Sequence, residues 1–167
     1  STTNFSTDFS TNFNSNEFYI EDGFSISIQN GFENRALHTY HPYESAVDLN
    51  VNEVNYIIQH NRIIEVSTHT PSIIFDDIVL VEPGTSGSNF GDSNFWDYVI
   101  VEGKKVNTTE STAWIPLIDG YDSRADSNWL TTYNAGQNGH KDLFKTQEIN
   151  FLTHFNIGDK VILRFRL

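Results

Sequence analysis

A chain of 167 residues is one domain's worth and is long enough to close an apolar core. Ten basic against 22 acidic residues leave a net charge of −12, spread along the chain, so phosphate backbones and anionic membrane surfaces should repel it and no nucleic-acid partner is expected. Cys and Met are both absent, so there is no disulfide and no thiolate metal site, and the core must stand on aliphatic and aromatic packing.

In chain order, residues 1–15, STTNFSTDFSTNFNS, are a polar lead-in with Phe5, Phe9 and Phe13 spaced by four. Ser, Thr and Asn are weak helix formers, so the expectation is an extended segment whose rings dock on the domain; a low-complexity junction is the alternative. Residues 16–167 read as a single β domain, built from short β-branched and aromatic runs between turn formers. Strands are predicted over 24–29, 54–66, 72–81, 96–102, 113–117 and 160–167, with a further one near 143–149. The run IIFDDIVLV is apolar on both parities, which predicts a central strand covered on both faces. The last strand alternates instead: Val161, Leu163, Phe165 and Leu167 point one way, Ile162, Arg164 and Arg166 the other. The two arginines are expected to meet acids across the sheet. Together the pattern predicts an all-β fold, an antiparallel two-sheet sandwich of jelly-roll type.

The loop EPGTSGSNFGDSNFWD joins two of these strands and far exceeds a tight hairpin. Glu82, Asp92 and Asp97 surround it, with Asn89 and Asn94 as neutral oxygen donors. Calcium takes six to eight such hard ligands in irregular geometry, so Glu82, Asp92 and Asp97 are the candidate metal ligands. The other reading is that these acids are solvated or cap turn amides.

A second segment, WIPLIDGYDSRADSNWLTTYNAGQNGH, mixes aromatic rings with acids, amides and one arginine. Flat rings stack on the apolar faces of sugars while Asp, Asn and Arg take the hydroxyls, so Tyr121, Asp122, Arg124, Trp129 and Tyr133 are the candidate glycan contacts. Trp114 is expected in the core. Arg124, flanked by acids, reads first as a loop clamp and second as a ligand group, and Trp129 could equally plug the end of the sandwich. His38 and His41, in ALHTYHPYES, precede a proline and are expected in an extended loop. HExxH, GxSxG and phosphate-cradling loops are all missing, and with 22 acids some carboxylate pair is close by chance, so catalysis is not expected.

The series GFENRALHTYHPYES, IIFDDIVLVEPG, FGDSNFWDYVIVEGKK, TAWIPLIDGYDSR and INFLTHFNIGDKVILRFRL resembles, in order and over nearly the whole chain, a jelly-roll module of large secreted Bacteroidetes surface proteins exported by the type 9 route. It is distantly similar to the MAM-type sandwich as well. The DYVIVEG…TAWIPL hairpin carries the most specific match, although KKVNTTES stands where the usual turn is acidic and Gly-rich. Such modules typically continue past the LRFRL strand, and this chain ends at Leu167. The expectation is therefore a fragment lacking its closing strand, or a sheet completed by another chain.

Those modules are usually non-catalytic. The resemblance thus implies an extracellular or cell-surface binding module for a glycan, with calcium assisting, or a structural spacer that contacts neighbouring domains of an adhesin or secretion cargo. No apolar run approaches the 18 residues of a membrane helix, no signal peptide or lipidation motif is found, and Ser1 stands where a Met would open a full chain, which suggests a mature fragment.

Overall fold

The computed structural model of the chain describes residues 5–9, 15–40, 42–69, 71–106 and 113–167. These residues form strands β1 (Phe18–Asp22), β2 (Phe24–Ser27), β3 (Ala36–Thr39), β4 (Ile57–Glu65), β5 (Ser72–Asp77), β6 (Ile100–Lys105), β7 (Ile115–Pro116), β8 (Lys145–Asn150) and β9 (Lys160–Arg166), and one α-helix, α1 (Ser127–Asn134). Every strand pair is antiparallel. The main sheet has the order β1-β4-β9-β6-β7; β5 pairs with β8, and β2 with β3. The all-β, sandwich-like architecture expected from the sequence is what the chain adopts.

The period-2 pattern of β9 explains why it sits at the centre. Val161 and Leu163 are buried with Val101 of β6, Ile149 of β8, Phe151 and Phe155, while Ile73 and Phe75 of β5 close over them from the second sheet. Phe75 meets Phe165 edge-on at 5.2 Å between ring centroids. On the other face Arg164 Nε donates to Glu102 Oε2 at 2.7 Å, and Arg166 Nε approaches the same oxygen at 3.3 Å. The cross-strand ion pairing expected of the two arginines is therefore formed with β6, where Glu102 is Arg164's direct partner in the register. Burial alone would raise the Glu102 carboxyl, but the two guanidinium groups outweigh it and hold it below its usual range.

β9 is hydrogen-bonded to β4 on one side and β6 on the other. Two expectations are corrected. The IIFDDIVLV run was expected to be a doubly covered central strand. Its first part is β5, which pairs only with β8 among the described residues and leaves Ile74 exposed, while Val79 and Val81 run on into a second core with Trp129 and Leu143. Ile78 and Leu80, on the other parity, also pack against this second core, so the second half of the run is apolar on both sides. Trp114 was expected inside. Its neighbour Ile115 takes the inward position, so Trp114 turns to the outer face, beneath the Arg164 guanidinium at 4.5 Å and beside Lys104 at 5.9 Å.

Sequence patterning missed β1, β3 and α1. The helix has no apolar stripe to announce it; its start is set by Asp126, whose side chain accepts from the amides of Asn128 and Trp129. Within the lead-in, Phe5 and Phe9 pack against Phe18, at 6.3 and 5.6 Å between centroids, and Phe13 lies outside the described residues.

Candidate functional site

Both segments singled out in the sequence converge on one structural unit, and its side chains are engaged internally. Asp122 is buried and caps the short 3-10 turn Ser123–Ala125, accepting from the Arg124 amide at 2.8 Å and from the Gly84 amide at 2.9 Å. Its carboxylate also holds the Arg124 guanidinium, with Nη2 at 2.7 Å. Arg124 then reaches across the long loop, its Nη1 donating to the carbonyls of Thr85 and Ser88 at 2.7 and 3.2 Å, and its guanidinium lies over Phe95 at 5.0 Å. Ser123, fully buried, donates to the Val81 carbonyl at 2.5 Å. The loop-clamp reading of Arg124 is the one its contacts describe.

Gly84 makes the clamp possible. A Cβ there would stand 2.8 Å from Arg124 Nη2 and 2.9 Å from the Asn94 carbonyl, too close for any side chain. Burial opposes ionisation of Asp122, yet the Arg124 and backbone hydrogen bonds prevail and hold its carboxyl low.

The remaining predicted glycan contacts divide. Trp129 is 1 % exposed, with its indole Nε1 donating to the Leu143 carbonyl at 2.7 Å, so both its face and its polar edge belong to the core. Tyr121 donates to Asp77 Oδ2 at 2.5 Å; burial keeps this phenol protonated and pushes the Asp77 carboxyl up. Tyr133 remains partly open, close enough to Glu82 and Asp97 for their charges to raise its phenol after burial has done so. The five residues do not assemble one exposed surface.

The predicted metal ligands are also apart in role. Asp92 caps its own turn, accepting from the Asn89 amide at 2.8 Å. Asp97 accepts from the Tyr43 hydroxyl at 2.6 Å, and that same hydroxyl accepts from the Glu82 amide at 2.9 Å. Among the described residues no group of three His, Asp or Glu side chains gathers closely enough to hold a metal ion.

A different place carries the open chemistry. Where the loop returns to β6, Trp96 lies 48 % exposed on the wall of a cavity of about 290 Å³, comparable with the small end of ligand sites. Tyr43, Tyr56 and Tyr98 add aromatic wall, and Asn52 and Asn55 add amides. Glu44, Glu53 and Asp97 stand around it, and none of the three is ion-paired among the described residues. Arg166, the one cation among the described residues lining the cavity, is already taken by Glu102 and by Asn55 Oδ1 at 2.9 Å.

The fold builds this groove from β4 and the segments beside it. Tyr56 is 2 % exposed and exchanges both backbone hydrogen bonds with Leu167, which brings the end of β9 to the cavity floor. Its ring lies against Gly23, where a Cβ would stand 2.1 Å from Tyr56 Cδ1, and its hydroxyl accepts from the Glu44 amide at 2.8 Å. Tyr98 is fixed by Phe90 and Phe95, at 5.1 and 5.8 Å, so the loop that Arg124 clamps also supports the groove's aromatic wall. Sequence reasoning placed Trp96 merely at the start of a strand. The available signal was WDY at a strand mouth, facing the acid-bearing PYES and NEVNY segments.

No helix among the described residues is long and apolar enough to cross a membrane. Compared with protein-family models, curated proteins and solved structures, the chain matches none of them.

Proposed function

We propose that this protein is a non-catalytic binding module that takes a glycan in the Trp96 groove, as an extracellular or cell-surface part of a larger secreted protein of the jelly-roll, MAM-like type. The observation that carries the reading is the half-exposed Trp96 ring beside Tyr43 and Tyr98 in a cavity lined with carboxylates and amides. An indole face covers the apolar face of a sugar ring, and carboxylate and amide groups accept and donate to its hydroxyls. Three carboxylates that are not ion-paired among the described residues favour neutral or amino-bearing sugars and disfavour uronic or sulfated ones. This moves the expected contacts away from Tyr121, Asp122, Arg124 and Trp129, and leaves Tyr133 beside Tyr43 of the groove wall and near Glu82 and Asp97.

Affinity electrophoresis against a panel of neutral, amino-bearing and acidic polysaccharides tests it. Retardation by a neutral or amino-bearing glycan, abolished in Trp96→Ala and retained in Tyr121→Phe, is the expected result; no retardation by any glycan, or equal retardation of Trp96→Ala, rejects it. Repeating the run with a chelator tests calcium assistance at Glu82, Asp92 and Asp97.

A second reading is favoured by exposed apolar side chains elsewhere. Val47, Leu49 and Val51 stand out on the segment beside the groove, and Tyr19 and Ile20 on the edge strand β1. Such side chains suit a spacer domain that contacts neighbouring domains of the same surface protein. A silent glycan panel favours this reading.

A further inference from the structure

His60 lies outside the groove, and its environment is unusual. It belongs to β4, opposite Phe18 of β1 and Leu163 of β9 in the register, so all three side chains share the inner face. The residue is 6 % exposed, and its Nε2 has no hydrogen-bond partner among the described residues. The lead-in covers it: the Phe5 ring lies 4.7 Å from the imidazole, Phe18 lies 5.1 Å away, and Phe9 packs behind Phe18. Arg62 places its guanidinium 4.8 Å over the outer side of Phe5 and pairs with Glu17 of the short 3-10 turn Ser15–Glu17.

A buried imidazole with an orphaned nitrogen tolerates this site only when neutral. Protonation would put a charged N–H against phenyl rings, with no acceptor for it among the described residues. The charged groups facing it are Glu17 from the turn before β1 and Arg62 from β4; the first favours the imidazolium and the second opposes it, while Asp8 is the lead-in's own ionisable group. Because Glu17 and Arg62 are paired, burial decides the balance, and it holds the imidazole below its ordinary value. Water can reach Nε2 if Phe5 swings away from the imidazole.

We propose that residues 5–9 form an acid-released strap, held on the inner face of β1 and β4 by the Phe5–His60–Phe18 stack and expelled when His60 takes a proton. The docked form binds fewer protons than the released one, so docking has its full strength above about pH 6.5, the ordinary imidazole value. Below that it weakens by about tenfold per pH unit until the docked imidazole itself titrates. Release uncovers Phe18 and the start of edge strand β1, so the strap couples acidity to exposure of a sheet edge.

The test is 19F NMR of the full chain with 4-fluorophenylalanine placed at position 5. At pH 7.5 the resonance should sit away from the free-peptide value, and between pH 6.5 and 5 it should move to that value. This window lies above the range in which carboxylates protonate. In His60→Leu, which keeps an apolar side chain beneath the ring, the resonance should stay at the docked position throughout. A wild-type resonance unchanged at pH 5, or His60→Leu releasing over the same range, overturns the proposal. Should His60→Leu fail to fold, the wild-type imidazole titration decides: a His60 value below 6.5 coincident with the Phe5 transition supports the strap, and a value at or above 6.5 overturns it.

Discussion

The clamp around Arg124 and the groove around Trp96 hold the same kinds of residue. Each has aromatic rings, carboxylates, an arginine and Asn or Ser groups, and the two are joined by one loop. In the clamp every polar group ends on the protein itself: Asp122 on Arg124 and the Gly84 amide, Arg124 on loop carbonyls, Trp129 on the Leu143 carbonyl. In the groove the carboxylates accept, among the described residues, from tyrosine and asparagine side chains, and Trp96 leaves much of its ring uncovered. Residue type proposes a ligand site, but what decides is whether the hydrogen-bonding capacity is already met from within.

That contrast should appear as opposite responses to mutation, and the largest is expected in the clamp. Trp129→Ala removes a fully buried ring and orphans the Leu143 carbonyl. A loss of about 3–5 kcal/mol in chemical denaturation is expected, with any change in glycan binding following only from unfolding. If the variant keeps its stability and loses binding, the comparison is inverted.

Next comes the ion pair. Asp122→Ala strands a partly buried guanidinium and the Gly84 amide, and should cost about 3 kcal/mol. Since the wild-type carboxyl is held below its ordinary value of 3.8, its contribution is present above that pH and is lost as pH falls through the lower, folded value. The acid limb of a stability–pH curve should therefore be shallower in Asp122→Ala than in the wild type. Parallel limbs would show that the clamp's carboxylate is not charged in the way its contacts require.

Trp96→Ala is expected to behave in the opposite sense. With half the ring in solvent the stability change should be about 1 kcal/mol, whereas affinity for a retained glycan should fall by roughly tenfold or more. Isothermal titration beside a denaturation curve reads both quantities, and a stability loss as large as that of Trp129→Ala would erase the distinction between the two regions.

The sequence carries much of this fold in one kind of signal and little of the site. Alternation of Val161, Leu163 and Phe165 against Arg164 and Arg166 located β9 and anticipated the Glu102 pairing, because a strand half in the core must show period 2. Position within the sheet was not legible: a run covered by two different cores, as in IIFDDIVLV, looks the same as a strand covered on both faces by one. The helix escaped because its sequence, SNWLTTYN, is held by Asp126 and by Trp129's insertion, both tertiary facts. For the site, composition picked out residues 121–133 as chemically rich but could not say that Gly84 and the loop carbonyls were waiting for them. Trp96 and Trp129 differ in surroundings that are assembled from segments tens of residues apart.

The smallest expected effect sharpens the groove's side of the comparison, because it separates charge from shape. Glu53 is exposed at the cavity, accepts only from the Asn55 side chain and is not ion-paired among the described residues. Glu53→Gln keeps its size and hydrogen-bonding reach while removing one of three negative charges. Binding of an amino-bearing oligosaccharide should weaken by about two- to fivefold, as for an exposed ion pair, and its N-acetylated counterpart should bind unchanged. The difference between the two ligands should shrink as salt is raised toward 1 M, where screening reaches within about 3 Å. Equal weakening of both ligands would assign Glu53 to hydroxyl recognition, and leave Glu44 and Asp97 as the groups through which charge selects the sugar.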